Sequence, residues 1–167
     1  MLKYICVLAL ALLYPNVTTQ AKVEISVQHK TAVYFQILKN HPKIDKEYAQ
    51  ELAYLIQKIA SVYKVKARNL AAIYAQESMY KLNSKNCDTG HCTDFGISQI
   101  HYKTVKAYGF DKHKLLTDLE YSIEAGAIVL SDIKKIYGAK DPEYWSRYNS
   151  SNPNARAKYK KLVMRYM

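Results

Sequence analysis

One carboxylate, Glu77, lies in a stretch of sequence that otherwise favours a buried helix. In LAAIYAQESMY, residues 70–80, the side chains that share its helical stripe are apolar or aromatic: Leu70, Ile73, Tyr74 and Tyr80. A helix that is apolar nearly all round is usually buried, and burial raises the pKa of a carboxyl group. Such a group can hold a proton near neutral pH, as a general acid for glycosidic cleavage must. The alternative is a structural ion pair with a basic residue such as Arg68 or Lys81.

Two downstream motifs carry further polar groups that suit a sugar-binding cleft. The segment DFGISQI supplies Gly96, where a substrate or a backbone can approach without a Cβ in the way. It also supplies Gln99, whose amide can donate to and accept from sugar groups. In WSRYNSSNP, the hydroxyl of Tyr148 can hydrogen-bond a carboxyl group and Asn149 can hold a sugar amide. Taken singly, these residues are equally typical of turns, solvated positions and cores.

The triplet Asp-Phe-Gly in the first of these motifs also occurs in protein kinases. The chain has neither the Gly-rich loop nor the His-Arg-Asp loop of that fold, and it is too short for it. We therefore reject a kinase interpretation.

Several helices must position these groups. Apolar periodicity and end signals predict a helix from Pro42 onward, capped by Asp45, and five more: Ala67–Lys81, His101–Tyr108, Leu119–Tyr137, Pro142–Tyr148 and Pro153–Tyr166. The segment TAVYFQIL fits either a helix or a strand, and residues 23–27 alternate as a strand does. The loop NSKNCDTGHCTDFG directly follows the helix that carries Glu77. We predict a mainly α, single-domain fold with at most a small β element in that loop.

The cysteines indicate a disulfide between Cys87 and Cys92, an even pair in a chain that carries export signals. The rival is a metal site built from Cys87, His91 and Cys92 with His101. We disfavour a metal because no second close-spaced ligand pair completes a tetrahedral set. Free thiols are the third alternative, and Cys6 falls in the leader described next.

The first 21 residues have the pattern of a secretory signal peptide: a positive Lys3, an apolar run and small residues before a cleavage point after Ala21. The apolar run is short for a membrane span, so we predict an exported protein, periplasmic or secreted, without a stable span. The net charge is +11, to which the leader contributes only Lys3. A surface this basic is attracted to polyanions such as nucleic acid, anionic lipid or cell-wall polymer, and charge alone does not choose among them.

In their order along the chain, these segments resemble the soluble lytic transglycosylase family of peptidoglycan-cleaving enzymes, which share a goose-type-lysozyme-like α fold. The family's Glu-Ser helix, Gly-x-x-Gln motif and Tyr-Asn motif are matched by Glu77-Ser78, Gly96–Gln99 and Tyr148-Asn149. The segment DLEYSIEAGAIVL echoes a further family stretch, and the final helix brings in Tyr159. The similarity covers residues 65–166 and departs from the family pattern at Ser98, Leu119, Ser122 and the SSNP segment.

The resemblance implies a peptidoglycan glycan substrate and no cofactor. Glu77 would be the catalytic residue, and Ser78, Gly96, Gln99, Tyr148 and Asn149 would bind substrate. It also implies a catalytic domain over residues 65–167, with residues 22–64 forming an N-terminal segment and helix that pack on it.

Three alternatives remain open. A hydrolytic muramidase would use Asp88 or Asp94 as a second carboxylate. A wall-binding module without catalysis would belong to a secretion or phage apparatus, although a glutamate at position 77 disfavours this. A nucleic-acid module would explain the interleaved Lys and Tyr residues but not Glu77 or the leader, so we expect no nucleic acid. We expect a monomer that acts with a secretion, conjugation or phage machine.

Overall fold

The computed structural model describes residues 31–88 and 91–167, with Asp88 described in its backbone only. The predicted leader, Cys6 and the predicted strand of residues 23–27 lie outside the described residues. Within them the chain forms seven α-helices: α1 (Ala32–Asn40), α2 (Lys46–Val62), α3 (Ala67–Ser78), α4 (Tyr102–Tyr108), α5 (Lys112–Thr117), α6 (Leu119–Tyr137) and α7 (Pro153–Val163). Two 3-10 turns, Tyr144–Arg147 and Met164–Tyr166, flank α7.

Local end signals account for the long helices. The Asp45 carboxylate accepts a hydrogen bond from the backbone N–H of Tyr48 at 2.9 Å and begins α2, as predicted. The Asp118 carboxylate does the same for the N–H of Tyr121 at the start of α6. The predicted span of α6 is confirmed at both ends. In the segment TAVYFQIL, Thr31 caps α1 and the other residues lie in it, which settles the ambiguity in favour of a helix.

Several predicted helix spans differ from the structure, including that of α4, which begins at Tyr102 rather than His101. The helix that carries Glu77 ends at Ser78 rather than Lys81, because Met79 and Tyr80 adopt left-handed conformations (φ 52° and 65°) that end α3. The helix predicted over 142–148 is only the 3-10 turn, and the last helix becomes 3-10 after Val163. The six-residue α5 was not predicted, because so short a helix shows little apolar periodicity.

The loop after α3 forms a three-stranded antiparallel sheet in the order β1 (Lys85–Asp88), β2 (His91–Phe95) and β3 (Ile100–His101). The disulfide between Cys87 and Cys92 joins β1 to β2. The prediction of a mainly α domain with a small β element after the Glu77 helix is therefore confirmed.

Helix α3 lies at the centre of the main core. Six of its residues, Leu70 to Ala75, are fully buried, and they pack with apolar side chains of α1, α2, α6 and α7. A second, smaller core lies between the sheet, α4, α5 and α6, around Phe95 and Leu115. Within residues 31–88 and 91–167, no helix combines the length and the apolar character that crossing a membrane requires. The C-terminal end of α3, with Glu77, lies where the helical core meets the sheet.

Candidate active site

A cavity of about 580 Å³ opens between the end of α3, the sheet, α4 and the 3-10 turn before α7. Its size is in the usual range for small-molecule sites. The residues that line it are mostly polar: Gln76, Glu77, Lys85, Asn86, Asp94, Gln99, Ile100, His101, Thr104, Val129, Tyr148 and Asn149. Of the residues that the sequence analysis selects, Glu77, Asp94, Gln99, Tyr148 and Asn149 therefore meet in one cavity, whereas Ser78 and Gly96 are not among its lining residues.

Glu77 is the most strongly perturbed carboxyl group described. Burial at the end of α3 raises its pKa from 4.5 to about 7, and the negative charge of Asp94 adds to the rise. A hydrogen bond from the Tyr159 hydroxyl, at 2.5 Å, opposes that rise by favouring the ionised form. The carboxyl group is thus close to half-protonated at neutral pH, and it faces a cavity large enough for a sugar unit.

The ion-pair alternative for Glu77 is not what the structure has. Arg68 donates to the backbone carbonyl of Met167, and Lys81 is exposed. Among the described residues, no ion pair includes Glu77. Its hydrogen-bond partner is instead a neutral phenol, Tyr159, whose own pKa is raised well above its ordinary value by burial and by the negative charge of Glu77.

Helix α7 brings Tyr159 to Glu77, and α1 holds the end of the chain that follows α7. The Gln36 and Asn40 side-chain amides both donate to the backbone carbonyl of Tyr166, each at 2.8 Å. The buried Tyr159 and Val163 side chains meanwhile pack in the main core. The main core and α1 together thus hold α7 and the segment after it, and this keeps the Tyr159 hydroxyl at the carboxyl group. Sequence reasoning placed Tyr159 on the last helix but gave it no role, because its partner lies 82 residues earlier.

The turn from Gly96 to Gln99 is held by buried serine side chains. The Ser78 hydroxyl donates to the carbonyl of Ile97 at 2.8 Å, and the Ser122 hydroxyl accepts from the N–H of Ile97 at 3.2 Å. Ser98 donates to the carbonyl of Ser122 at 2.9 Å. The Ser78 hydroxyl is buried and fastens the turn to α3, and the contact of Ser78 with substrate stays a prediction.

The fold itself requires a glycine at position 96. Its φ is +79°, and a Cβ there would lie 2.2 Å from the Leu115 carbonyl oxygen and 2.4 Å from the Ser122 hydroxyl. Of the two close approaches that the sequence allowed, the structure shows the one to the protein itself, and the contact of Gly96 with substrate stays a prediction.

Two predicted polar groups are placed differently from expectation. The Tyr148 hydroxyl donates to the carbonyl of Ser98 at 2.9 Å, so Tyr148 supports the turn, and the phenol that bonds the carboxyl group is Tyr159. The amide nitrogen of Gln99 donates to the carbonyls of Ser84 and Gly96, which leaves its side-chain oxygen for a ligand. Asn149 is exposed at the cavity edge.

Asp94 lies at the middle of a row that crosses the sheet. In the strand register it faces Asn86 on β1 and His101 on β3, and all three residues line the cavity. Its Oδ2 atom accepts hydrogen bonds from Asn86 Nδ2 at 3.1 Å and from the Thr93 hydroxyl at 2.7 Å. Sequence reasoning missed Asn86 and assigned His101 only to a metal alternative. No local signal could have found either residue, because strands of two to five residues show too little alternation to define their register.

The disulfide occupies both sulfur atoms of the metal alternative, so neither Cys87 nor Cys92 can act as a thiolate ligand while oxidised. Of the two candidates for a second carboxylate, Asp94 lines the cavity, and the side chain of Asp88 lies outside the described residues.

The helical core with a small sheet beside the cavity is that of a lysozyme-like domain. The chain belongs to the transglycosylase SLT domain family, which matches residues 54–164. It is similar to the invasion protein IagB of two Salmonella typhimurium strains, SL1344 and LT2, and of Salmonella typhi, with 32% identity over 108 residues. The match covers 63% of this chain and 65% of each relative, slightly less than two thirds of their length. No solved structure gives a significant match.

Proposed function

We propose that the protein is a peptidoglycan lytic transglycosylase that cleaves the bond between N-acetylmuramic acid and N-acetylglucosamine, with Glu77 as acid and then as base. The observation that carries the proposal is the environment of the Glu77 carboxyl group. Its pKa is raised to about 7 and it lies at a polar cavity in a domain of the transglycosylase family. A pKa near the working pH suits a group that must both give and take a proton.

In the first step Glu77 donates its proton to the bridging oxygen as the glycosidic bond breaks and positive charge develops at the anomeric carbon. In the second step the 6-hydroxyl of the muramoyl sugar attacks that carbon, and the Glu77 carboxylate takes the hydroxyl proton. One product ends in an anhydro-muramoyl sugar. The other ends in an N-acetylglucosamine on which the protonated bridging oxygen is now a hydroxyl, and no water is consumed. The Tyr159 hydroxyl, at 2.5 Å, stabilises the carboxylate between the two steps.

The neighbouring groups are proposed to bind the glycan. The Gln99 side-chain oxygen can accept from a sugar amide or hydroxyl, since its nitrogen is already engaged. Asn149 can bind a sugar amide at the cavity edge, and the Tyr148 ring forms part of the wall.

The proposal is tested by incubating residues 22–167 with isolated peptidoglycan sacculi and identifying the released muropeptides by mass. We expect anhydro-muramoyl products from the unmodified protein and a loss of about 10²–10⁴-fold in rate for Glu77→Gln. If the variant kept more than about a tenth of the rate, Glu77 would not be the acid–base residue. Release by neither protein would favour the wall-binding alternative.

A hydrolytic muramidase is the second candidate, because Asp94 lines the same cavity and its charge raises the pKa of Glu77. Two carboxyl groups across one scissile bond are the arrangement of ordinary glycoside hydrolysis. Products with reducing ends, lost in Asp94→Asn, would establish this reaction in place of the anhydro-forming one.

We further propose that the protein is exported and opens local gaps in the wall for an assembling secretion, conjugation or phage machine. The support is its family, its basic charge and the name of its Salmonella relatives, which are called invasion proteins. Deletion of the gene should impair assembly of such a machine while the cells grow normally; unimpaired assembly would contradict the proposal.

A further inference from the structure

One wall of the cavity carries a carboxylate and an imidazole side by side. Asp94 and His101 are directly paired residues of the antiparallel strands β2 and β3, and both line the cavity. Side chains on directly paired strand positions have Cβ atoms about 4.5–5.5 Å apart on the same face. Among the hydrogen bonds of residues 31–88 and 91–167, those of Asp94 engage Oδ2 and none engages Oδ1.

The hydrogen bonding of His101 defines which ring nitrogen can donate. Its Nδ1 accepts from the backbone N–H of Lys103 at 3.3 Å, where His101 caps the short helix α4. In the neutral imidazole the proton is then on Nε2, which has no hydrogen-bond acceptor among the described residues. The wall thus presents an acceptor, Asp94 Oδ1, beside a donor, His101 Nε2–H.

We propose that Asp94 and His101 together bind one pyranose hydroxyl of the glycan, a proposal that rests on the proposed function for its ligand class. A hydroxyl donates one hydrogen bond and accepts others, so it can donate to Asp94 Oδ1 while it accepts from His101 Nε2. Two hydrogen bonds of about 2.8 Å that meet at one oxygen hold their partner atoms roughly 4.5–5 Å apart. Side chains whose Cβ atoms are about 4.5–5.5 Å apart on one face of a sheet can span that separation with their polar ends. Asn86 and Thr93 orient the carboxylate by holding its other oxygen.

The test measures binding without turnover. In Glu77→Gln protein, isothermal titration calorimetry with tetra-N-acetylchitotetraose gives the reference Kd, independently of whether the enzyme cleaves sacculi. His101→Ser keeps an oxygen that can cap α4 but cannot reach the ligand, and we expect about a tenfold weaker Kd. Asp94→Asn should lose a similar factor. The double variant should lose little more than either single variant, because the two side chains share one hydroxyl.

The control is His113→Ser, the same substitution at an exposed histidine on α5, which should bind as the reference does. Unchanged affinity of folded His101→Ser overturns the proposal, as does a double variant whose loss is the product of the two single losses. If thermal unfolding shows that His101→Ser is not folded, the test rests on Asp94→Asn. Unchanged affinity of that variant overturns the proposal that the two side chains bind one hydroxyl. Failure of the Glu77→Gln protein to bind the oligomer also overturns it, whereas binding without cleavage of sacculi by the unmodified protein would refute only the proposed function.

Discussion

Replacing Glu77 by glutamine should remove activity and, above pH 6, stabilise the fold. Burial raises the pKa of this carboxyl group from 4.5 to about 7, so the folded protein binds a proton there that the unfolded chain has already released. In that situation the free energy of unfolding falls as the pH rises from the unfolded pKa to the folded pKa. Glutamine has nearly the same shape and carries no charge at any pH, so it does not have this cost.

The magnitude follows from the size of the pKa shift. One pKa unit corresponds to 1.36 kcal/mol, so a rise from 4.5 to about 7 costs the unmodified protein up to about 3 kcal/mol at pH 8 and almost nothing at pH 4. For a chain of this length, that difference corresponds to a rise of about 6–12 °C in the Tm of Glu77→Gln at pH 8.

The assay is urea unfolding of both proteins at pH 4, 5, 6, 7 and 8, with activity on sacculi measured in parallel. We expect the two unfolding free energies to agree at pH 4 and to separate progressively up to pH 8. A difference in unfolding free energy between the two proteins that is the same at every pH would refute the reasoning. It would mean that the Glu77 carboxyl group ionises as easily in the folded protein as in water.

Three other perturbations have defined outcomes. Tyr159→Phe removes the hydrogen bond that lowers the pKa of Glu77, so the alkaline limb of the pH profile of kcat/KM should move to higher pH. An unchanged limb would mean that Tyr159 does not influence the ionisation of Glu77. Gly96→Ala should lower the free energy of unfolding in urea by about 3 kcal/mol or more. Gly109→Ala has a similar φ but, among the described residues, no atom within 4 Å of the added Cβ, so it should cost about 1 kcal/mol. Equal losses would mean that crowding by the Leu115 carbonyl is not the cause. Reducing the disulfide with dithiothreitol should lower the unfolding free energy by about 2 kcal/mol, and an unchanged urea midpoint would argue against a closed loop in the native protein.

The sequence alone determined the features that depend on neighbours along the chain. Apolar periodicity identified α3 as a buried helix with a carboxylate on its inward stripe, and periodicity with end signals defined both ends of α6. The close pair of cysteines indicated a disulfide that the structure contains. In each case the signal is local: a cap, a helical period or a short loop.

Tertiary structure alone decided which groups surround that carboxylate. Whether Tyr148 or Tyr159 reaches Glu77 depends on how α7 packs against α3, and the two tyrosines are equally plausible as sequence. The neighbour relation between Asp94 and His101 depends on strand register, which a one-residue slip would abolish by turning a side chain to the other face. Such contacts join residues that are distant along the chain, and the packing of helices and the pairing of strands set them, not local periodicity.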